Sequence, residues 1–190
     1  TIGSRPNGCA PRTMSQFLPL LGRLLLLRCG PQDLPYSTTL LGGSIAASLV
    51  ANILSLGIGT TAFTAIPQTL LATLVSIGFV IGLLQIRERT PRTVQTLTAL
   101  FATQAVLGLL ALFPLQALAP IFQQIAENPD AASTIQAPSS AVAAWLALGL
   151  WSVMVTGHIF RNALDVHLLA GVGLAILQGL LIWIVLIPFA

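Results

Sequence analysis

Five long apolar runs, none of which contains an Asp, Glu, Lys or Arg, dominate the pattern of the chain. They cover approximately residues 38–59, 66–86, 94–119, 139–160 and 166–189. Roughly 20 apolar residues in a helix cross a hydrocarbon core of about 30 Å, and each run reaches that length. The pattern therefore predicts an all-α, polytopic transmembrane helical bundle of five spans within residues 37–190.

Residues that begin or interrupt helices stand near the ends of these runs. Ser37 or Thr38 can cap the first span, and Ser139 opens the fourth. Pro67 suits the first turn of the second span, where its missing N–H costs no helical hydrogen bond. Pro114 lies inside the third run, so we expect that helix to kink there or to end earlier.

The residues before the first span form two segments of different character. Residues 1–13 are rich in Gly, Pro, Arg and Thr without hydrophobic periodicity, so we expect a disordered extension, with Met14 as an alternative start. Residues 14–36 contain an apolar stretch, Phe17 to Cys29, that two arginines interrupt and that is too short to cross a bilayer. This segment predicts a cytoplasmic interfacial helix followed by a turn.

The basic residues all fall on one side of the five-span arrangement. They are Arg5, Arg12, Arg23, Arg28, Arg87, Arg89, Arg92 and Arg161. The long loop on the opposite side, residues 120–138, carries Glu127 and Asp130 and no positive charge. Because positively charged loops stay cytoplasmic, we expect a multi-pass protein of the bacterial cytoplasmic (inner) membrane, with its amino terminus in the cytoplasm and its carboxyl terminus outside.

The composition agrees with lipid as the main solvent. Hydrophobic residues make up 55% and charged residues 7% of the chain, and Lys is absent, whereas soluble domains carry roughly a quarter charged residues. The net charge of +3 does not indicate nucleic-acid binding, because the arginines are dispersed and form no basic stripe. Two cysteines, Cys9 and Cys29, form neither a disulfide framework nor a metal site.

A polar cluster marks the junction of the last two spans. Its members are His158, Arg161, Asn162, Asp165 and His167. If the helix continues, the first four fall on one face, and Arg161 and Asp165 are spaced for an ion pair. The functional interpretation is a headgroup, proton or partner site at the cytoplasmic surface. The simpler interpretation is a hydrated turn where the membrane ends; no metal site is expected, because no further ligands lie nearby.

Small residues recur every four positions in two spans. Gly43 and Ala47 share one face of the first span, and Gly171, Ala175 and Gly179 share one face of the last. Such faces let helix backbones approach closely in lipid. They are expected to pack the spans of this chain together or to bind another integral membrane protein.

Asn52, Gln104 and Gln178 are the largest polar side chains at membrane depth. Amides in spans often join neighbouring helices by hydrogen bonds worth on the order of 1 kcal/mol, and we expect this structural role. The alternative is a transport path that they line.

The three tryptophans require no cofactor. Trp145 and Trp183 are expected toward the outer interface, where indole rings are enriched. Trp151 lies deeper, and core packing is favoured over a lipid or pigment groove.

A cytoplasmic amino terminus, five closely spaced helices and a final pair joined by a short polar turn resemble the Yip-type family of five-span membrane proteins. The turn runs from Trp151 through Gly157, His158 and Arg161 to Asp165, and the likeness covers residues 37–189. Eukaryotic members carry Asp-Leu-Tyr-Gly-Pro before the first span; residues 30–35 here read Gly-Pro-Gln-Asp-Leu-Pro, with related residues in a different order. The resemblance therefore implies the bacterial branch of unknown function rather than a role in membrane traffic or small-GTPase contact.

Motifs for catalysis are missing from the sequence: it contains no nucleophile elbow, phosphate loop, zinc-helix motif or paired carboxylates. We therefore expect no enzyme and no cofactor. The leading hypothesis is a non-catalytic scaffold or accessory subunit of a larger membrane complex, with membrane lipid and other integral membrane proteins as partners. The alternative is a small-solute or lipid transporter with a path near Asn52, Gln104 and Gln178, and a lipid-modifying enzyme using the histidine cluster comes third.

Overall fold

A computed structural model describes residues 17–58, 62–128 and 135–189, which form six α-helices. The helices are α1 (Phe17–Leu25), α2 (Thr38–Leu56), α3 (Ala62–Ile86), α4 (Thr93–Glu127), α5 (Ser139–Leu164) and α6 (Leu168–Leu186). Of these, α2 to α6 are long and apolar enough to cross a membrane. The predicted all-α bundle of five spans is confirmed, and the chain is a multi-pass membrane protein. The extension predicted over residues 1–13 lies outside the described residues.

The first two spans begin in different ways. Ser37 caps α2 as predicted, because its Oγ accepts a hydrogen bond from the Leu40 N–H at 3.3 Å. The prediction that Pro67 lies in the first turn of its span is wrong. Apolar residues before it extend α3 back to Ala62, so Pro67 lies in the second turn.

The third span, α4, is much longer than predicted. It continues through Pro114 and Pro120 to Glu127, a length of 35 residues, so the expectation that it ends near residue 119 is wrong. Each proline removes one main-chain hydrogen bond, a loss that neighbouring helices help a membrane helix to tolerate. At 1.5 Å per residue, α4 measures about 52 Å and exceeds the bilayer core.

The five spans form a ring in the order α2–α3–α6–α5–α4, in which α4 closes back onto α2. Antiparallel neighbours place residues 26–37, 87–92 and 165–167 at one end of the ring. We call it the arginine end because Arg28, Arg87, Arg89, Arg92 and Arg161 lie there, and we call the opposite end the distal end. The densest core lies near the arginine end and contains Val80, Leu84, Leu97, Leu100, Phe101, Phe160, Ala163, Leu164 and Ala175.

The predicted interfacial helix is present as α1, and it packs on the bundle. Leu20, Leu21 and Leu24 are buried in one cluster with residues of α4 and α5, whereas Leu18 on the opposite face is 75% exposed. This amphipathic arrangement makes α1 part of the core at the arginine end.

Candidate functional site

A cavity of about 600 Å³ lies between the spans, and all five spans contribute to its wall. The polar residues of its lining are Asn52, Gln68, Thr69, Thr73, Ser76, Gln104 and Ser152. A second cavity of about 160 Å³ adjoins it and shares Gln104, Ser152 and Ile182 with it. Gln178 and Thr156 line this smaller cavity. The two cavities therefore lie side by side among the spans and share part of one wall.

The larger cavity lies toward the distal end of the bundle, and the smaller cavity lies near its middle, where Thr156 and Ala175 line it. Asn52 lies four residues before the end of α2, about 6 Å along the helix axis. Gln178 lies eight residues before the end of α6, about 12 Å along its axis. Toward the arginine end, Phe101 lines the larger cavity, is 1% exposed and packs in the dense core with Leu100 and Phe160. That core closes the space on the arginine side.

The fifth helix opens the larger cavity toward lipid. The six consecutive residues from Val155 to Phe160 are all buried, so other elements surround α5 on every side there. From Ser139 to Ser152, by contrast, only Ala141 is buried. Leu146 and Leu150 are 57% and 68% exposed, yet both line the cavity. The cavity therefore reaches the lipid-facing surface along the distal half of α5.

Two of the three membrane amides do not join helices through their nitrogens. Asn52 Nδ2 donates to the Ser48 carbonyl of its own helix at 2.8 Å. Gln178 Nε2 is buried and has no hydrogen-bond partner among the described residues. These two nitrogens therefore do not make the expected hydrogen bonds between helices. Gln104 lies on the common wall.

Hydroxyl groups of α3 supply further polar surface. Thr73 Oγ1 donates to the Thr69 carbonyl and Ser76 Oγ donates to the Ala72 carbonyl, each at 2.8 Å. Their hydrogens are thus used within the helix, and their oxygens remain acceptors. Among the described residues, none that lines either cavity is ionisable, so this part of the polar wall consists of neutral hydrogen-bonding groups.

The tryptophans differ in their environments. Trp145 is 45% exposed and lines the larger cavity. The expectation that Trp151 packs in the core is wrong: it is 41% exposed on the surface of α5, whose distal half stands away from its neighbours. Trp183 is 65% exposed.

His158, in the polar cluster of the sequence, ties the segment after α1 to α5. It is 8% exposed, and its Nε2 lies 3.0 Å from the Cys29 carbonyl oxygen. Because a carbonyl only accepts, Nε2–H is the donor, and Asn162 Nδ2 at 3.1 Å cannot donate to the same nitrogen. Asn162 Nδ2 donates instead to the His158 carbonyl at 2.7 Å. The His158 contact therefore joins the segment after α1 to α5, whereas the Asn162 bond lies within α5.

At the arginine end, Asp165 forms ion pairs with two arginines of the loop between α3 and α4. Its Oδ2 lies 3.0 Å from Arg89 Nη2 and 3.2 Å from Arg92 Nη1. The expected ion pair between Asp165 and Arg161 is wrong, because α5 ends at Leu164 and Asp165 turns away in a left-handed conformation with φ 54°.

Arg92 has a second role at this end of the bundle. Its Nη1 also donates to the carbonyls of Asn162 and Ala163 at 3.2 Å, where the last turn of α5 leaves acceptors without helical partners. Of the five residues of the cluster, Arg161, Asp165 and His167 are exposed, whereas His158 and Asn162 make contacts that hold the structure at this end.

The small residues of the sequence fall into three environments. Gly171 and Ala175 are buried on α6, and Gly171 lies against the Gly157 carbonyl of α5. Gly179 lines the smaller cavity. Gly43 and Ala47 are exposed on α2, whose buried face is formed by Ser44, Ser48 and Ala51.

No protein-family model, no curated protein and no solved structure matches this chain. The resemblance to the Yip-type family stays a prediction. The roles of the cavity residues therefore follow from geometry and chemistry alone.

Proposed function

We propose that the protein is a transporter of a small solute or lipid whose path passes Asn52, Gln104 and Gln178. The observation that carries the proposal is the convergence of these amides, from α2, α4 and α6, on two cavities with a common wall. Amides that only join helices would face separate helix contacts. Here Asn52 and Gln104 line the larger cavity, whose volume of about 600 Å³ is within the usual size range of small-molecule sites, and Gln178 lines the smaller cavity beside it.

The dense core beside Phe101 supports a gate at the arginine end. Phe101, Leu100 and Phe160 are each at most 1% exposed and stand between the cavity and that end. A transporter exposes its site alternately to the two sides of the membrane. The arrangement corresponds to a conformation closed at the arginine end, and opening requires these side chains to separate.

The neutral cavity walls indicate which energy source could drive transport. Ion-coupled carriers use intramembrane acids or bases as relays, and neither cavity lining contains one. We therefore propose that the substrate moves down its own gradient.

Thiol access tests the path. In a Cys9→Ser, Cys29→Ser background, Ser152→Cys places one cysteine on the common wall, and an impermeant thiol reagent is added from either side of the membrane. We expect rapid labelling from the distal side and slower labelling from the arginine side as the gate opens. Val155→Cys, three residues further along α5 and 0% exposed, is the control and should resist labelling from both sides.

Two outcomes would count against transport. The first is equal protection of Ser152→Cys and Val155→Cys from the thiol reagent on both sides of the membrane. It would mean that no solute path reaches the cavity. Labelling from the distal side alone would leave a binding pocket without transport.

A scaffold or accessory subunit is the second candidate, and the exposed face of Gly43 and Ala47 favours it. Small residues facing lipid allow another helix to approach closely. Gly43→Leu should then release a partner that copurifies under mild extraction. A strictly monomeric native protein would argue against this function.

A further inference from the structure

Two buried side chains on the cavity walls have no hydrogen-bond partner in the described part of the chain. Gln178 and Thr69 are each 3% exposed, and Gln178 Nε2 and Thr69 Oγ1 make no hydrogen bond. Buried polar groups without partners cost free energy, and native structures contain few of them. The amide nitrogen of Gln178 can only donate, so an acceptor that reaches it from the smaller cavity, which Gln178 lines, would satisfy it.

The ligand that supplies this acceptor is uncharged. Within the part of the chain that the structure describes, neither lining contains an Asp, Glu, Lys, Arg or His that could pair with a charged head group. A buried charge without a counter-charge is strongly unfavourable. Water molecules or neutral oxygens fit the walls, and a phosphate or ammonium group does not.

The apolar part of the walls and the opening beside α5 indicate that the ligand has an apolar tail. Leu56, Phe101, Leu107 and Ile182 line the larger cavity around its polar groups. Leu146 and Leu150 continue this apolar lining to the surface of the bundle, where they are more than half exposed. A chain that enters beside α5 thus passes from lipid to the polar wall without crossing water.

We infer that the cavity binds an uncharged amphiphile whose head group carries carbonyl or ether oxygens and whose apolar tail leaves the bundle beside the distal half of α5. One head-group oxygen accepts a hydrogen bond from Gln178 Nε2 on the smaller cavity, and another accepts from the Thr69 hydroxyl on the larger cavity. This inference rests on the proposed function, because it names the substrate class of the same cavity.

Quenching of Trp145 tests the ligand class. Trp145 lines the cavity, whereas Trp151 and Trp183 are absent from its lining, so a Trp151→Phe, Trp183→Phe protein reports from the cavity alone. The purified full chain in detergent is titrated with a bromine-terminated acyl chain esterified to glycerol. Controls are the same chain as a sulfate ester and a bromoalkane of equal length. We expect saturable quenching by the glycerol ester and at least roughly tenfold weaker binding of both controls.

Substitutions of the two unpartnered residues on the cavity walls test where the head group binds. Gln178→Leu and Thr69→Val each keep the approximate shape of the side chain and remove a donor. Each should weaken binding of the glycerol ester by roughly tenfold, the scale of one lost hydrogen bond to a buried donor. Gln116→Leu, which replaces an exposed amide of α4 outside both linings, should leave the binding unchanged.

The outcomes separate failure of this inference from failure of the proposed function. Equal quenching by all three probes, unchanged in Gln178→Leu and Thr69→Val, would overturn the inference, because the tail would then touch only the bundle surface. Preference for the sulfate would overturn the neutral class. In both cases, access of a thiol reagent to Ser152→Cys from both sides would still support a transport path.

Discussion

At the scale of single residues, the contact between Gly157 and Gly171 sets how closely α5 and α6 approach. A Cβ on Gly171 would overlap the Gly157 carbonyl oxygen and would lie 3.0 Å from the Arg161 backbone nitrogen. Both neighbours are main-chain atoms of α5, so no side-chain rotation relieves the overlap. The helices must instead separate.

Gly171→Ala should therefore destabilise the protein. We expect the free energy of unfolding to fall by about 1–3 kcal/mol, the usual cost of overpacking, measured by thermal unfolding in detergent. Gly173→Ala on the same helix is the matched control, because its Cβ meets no atom within 4 Å. The control should be neutral or slightly stabilising, since alanine favours helix over glycine by roughly 0.5–1 kcal/mol. Equal melting of the two variants would contradict the close backbone contact.

At the scale of elements, the hydrogen bond from His158 to the Cys29 carbonyl holds α1 and its following turn on the bundle. Cys29 is 5% exposed and shares a buried cluster with Leu24 and Leu34. Loss of the imidazole leaves the buried carbonyl without its donor and opens space beside α5. The segment should then separate from the bundle more often.

His158→Ala should increase the reactivity of the Cys29 thiol. In a Cys9→Ser background, we expect a several-fold higher rate of maleimide labelling, because brief opening of a packed element exposes its buried groups. His167→Ala, at an exposed position, should not change the rate. Unchanged labelling of His158→Ala would show that apolar packing alone holds α1.

The elements differ in how well the sequence predicts them. The five spans follow from apolar length, and the cap at Ser37 follows from residue type. The end of α4 does not follow from the sequence. Prolines that would stop a helix in water are tolerated where a membrane offers the backbone no alternative partner. The sequence predicts an ion pair between Asp165 and Arg161 only for an unbroken helix, and the left-handed turn at Asp165 ends α5 before that pair can form.

The cavity could not be predicted from the sequence either. The sequence does not show whether a membrane amide bridges helices or lines a cavity, and this holds for Asn52, Gln104 and Gln178. The ring order of the spans decides between these roles, and hydropathy carries no information on that order. Only the number and kind of the membrane amides were predictable.

At the scale of the whole molecule, the charge distribution predicts the orientation. The described arginines gather at one end, and that end should face the cytoplasm. Thr90→Cys at the arginine end and Ser140→Cys at the distal end are both exposed. In the Cys9→Ser, Cys29→Ser background, an impermeant thiol reagent added to intact cells should label Ser140→Cys alone. Labelling of Thr90→Cys instead would reverse the orientation.

The neutral lining of the two cavities has a consequence for the energetics of the membrane. A charge that crosses the full transmembrane voltage gains or loses about 2.3 kcal/mol per 100 mV, but neither the described cavity walls nor the uncharged amphiphile that we infer carries such a charge. Occupancy should therefore be the same in energised and de-energised membranes and should not respond to ionic strength. A cell would control this site through the concentration of its guest in the bilayer, without electrical control.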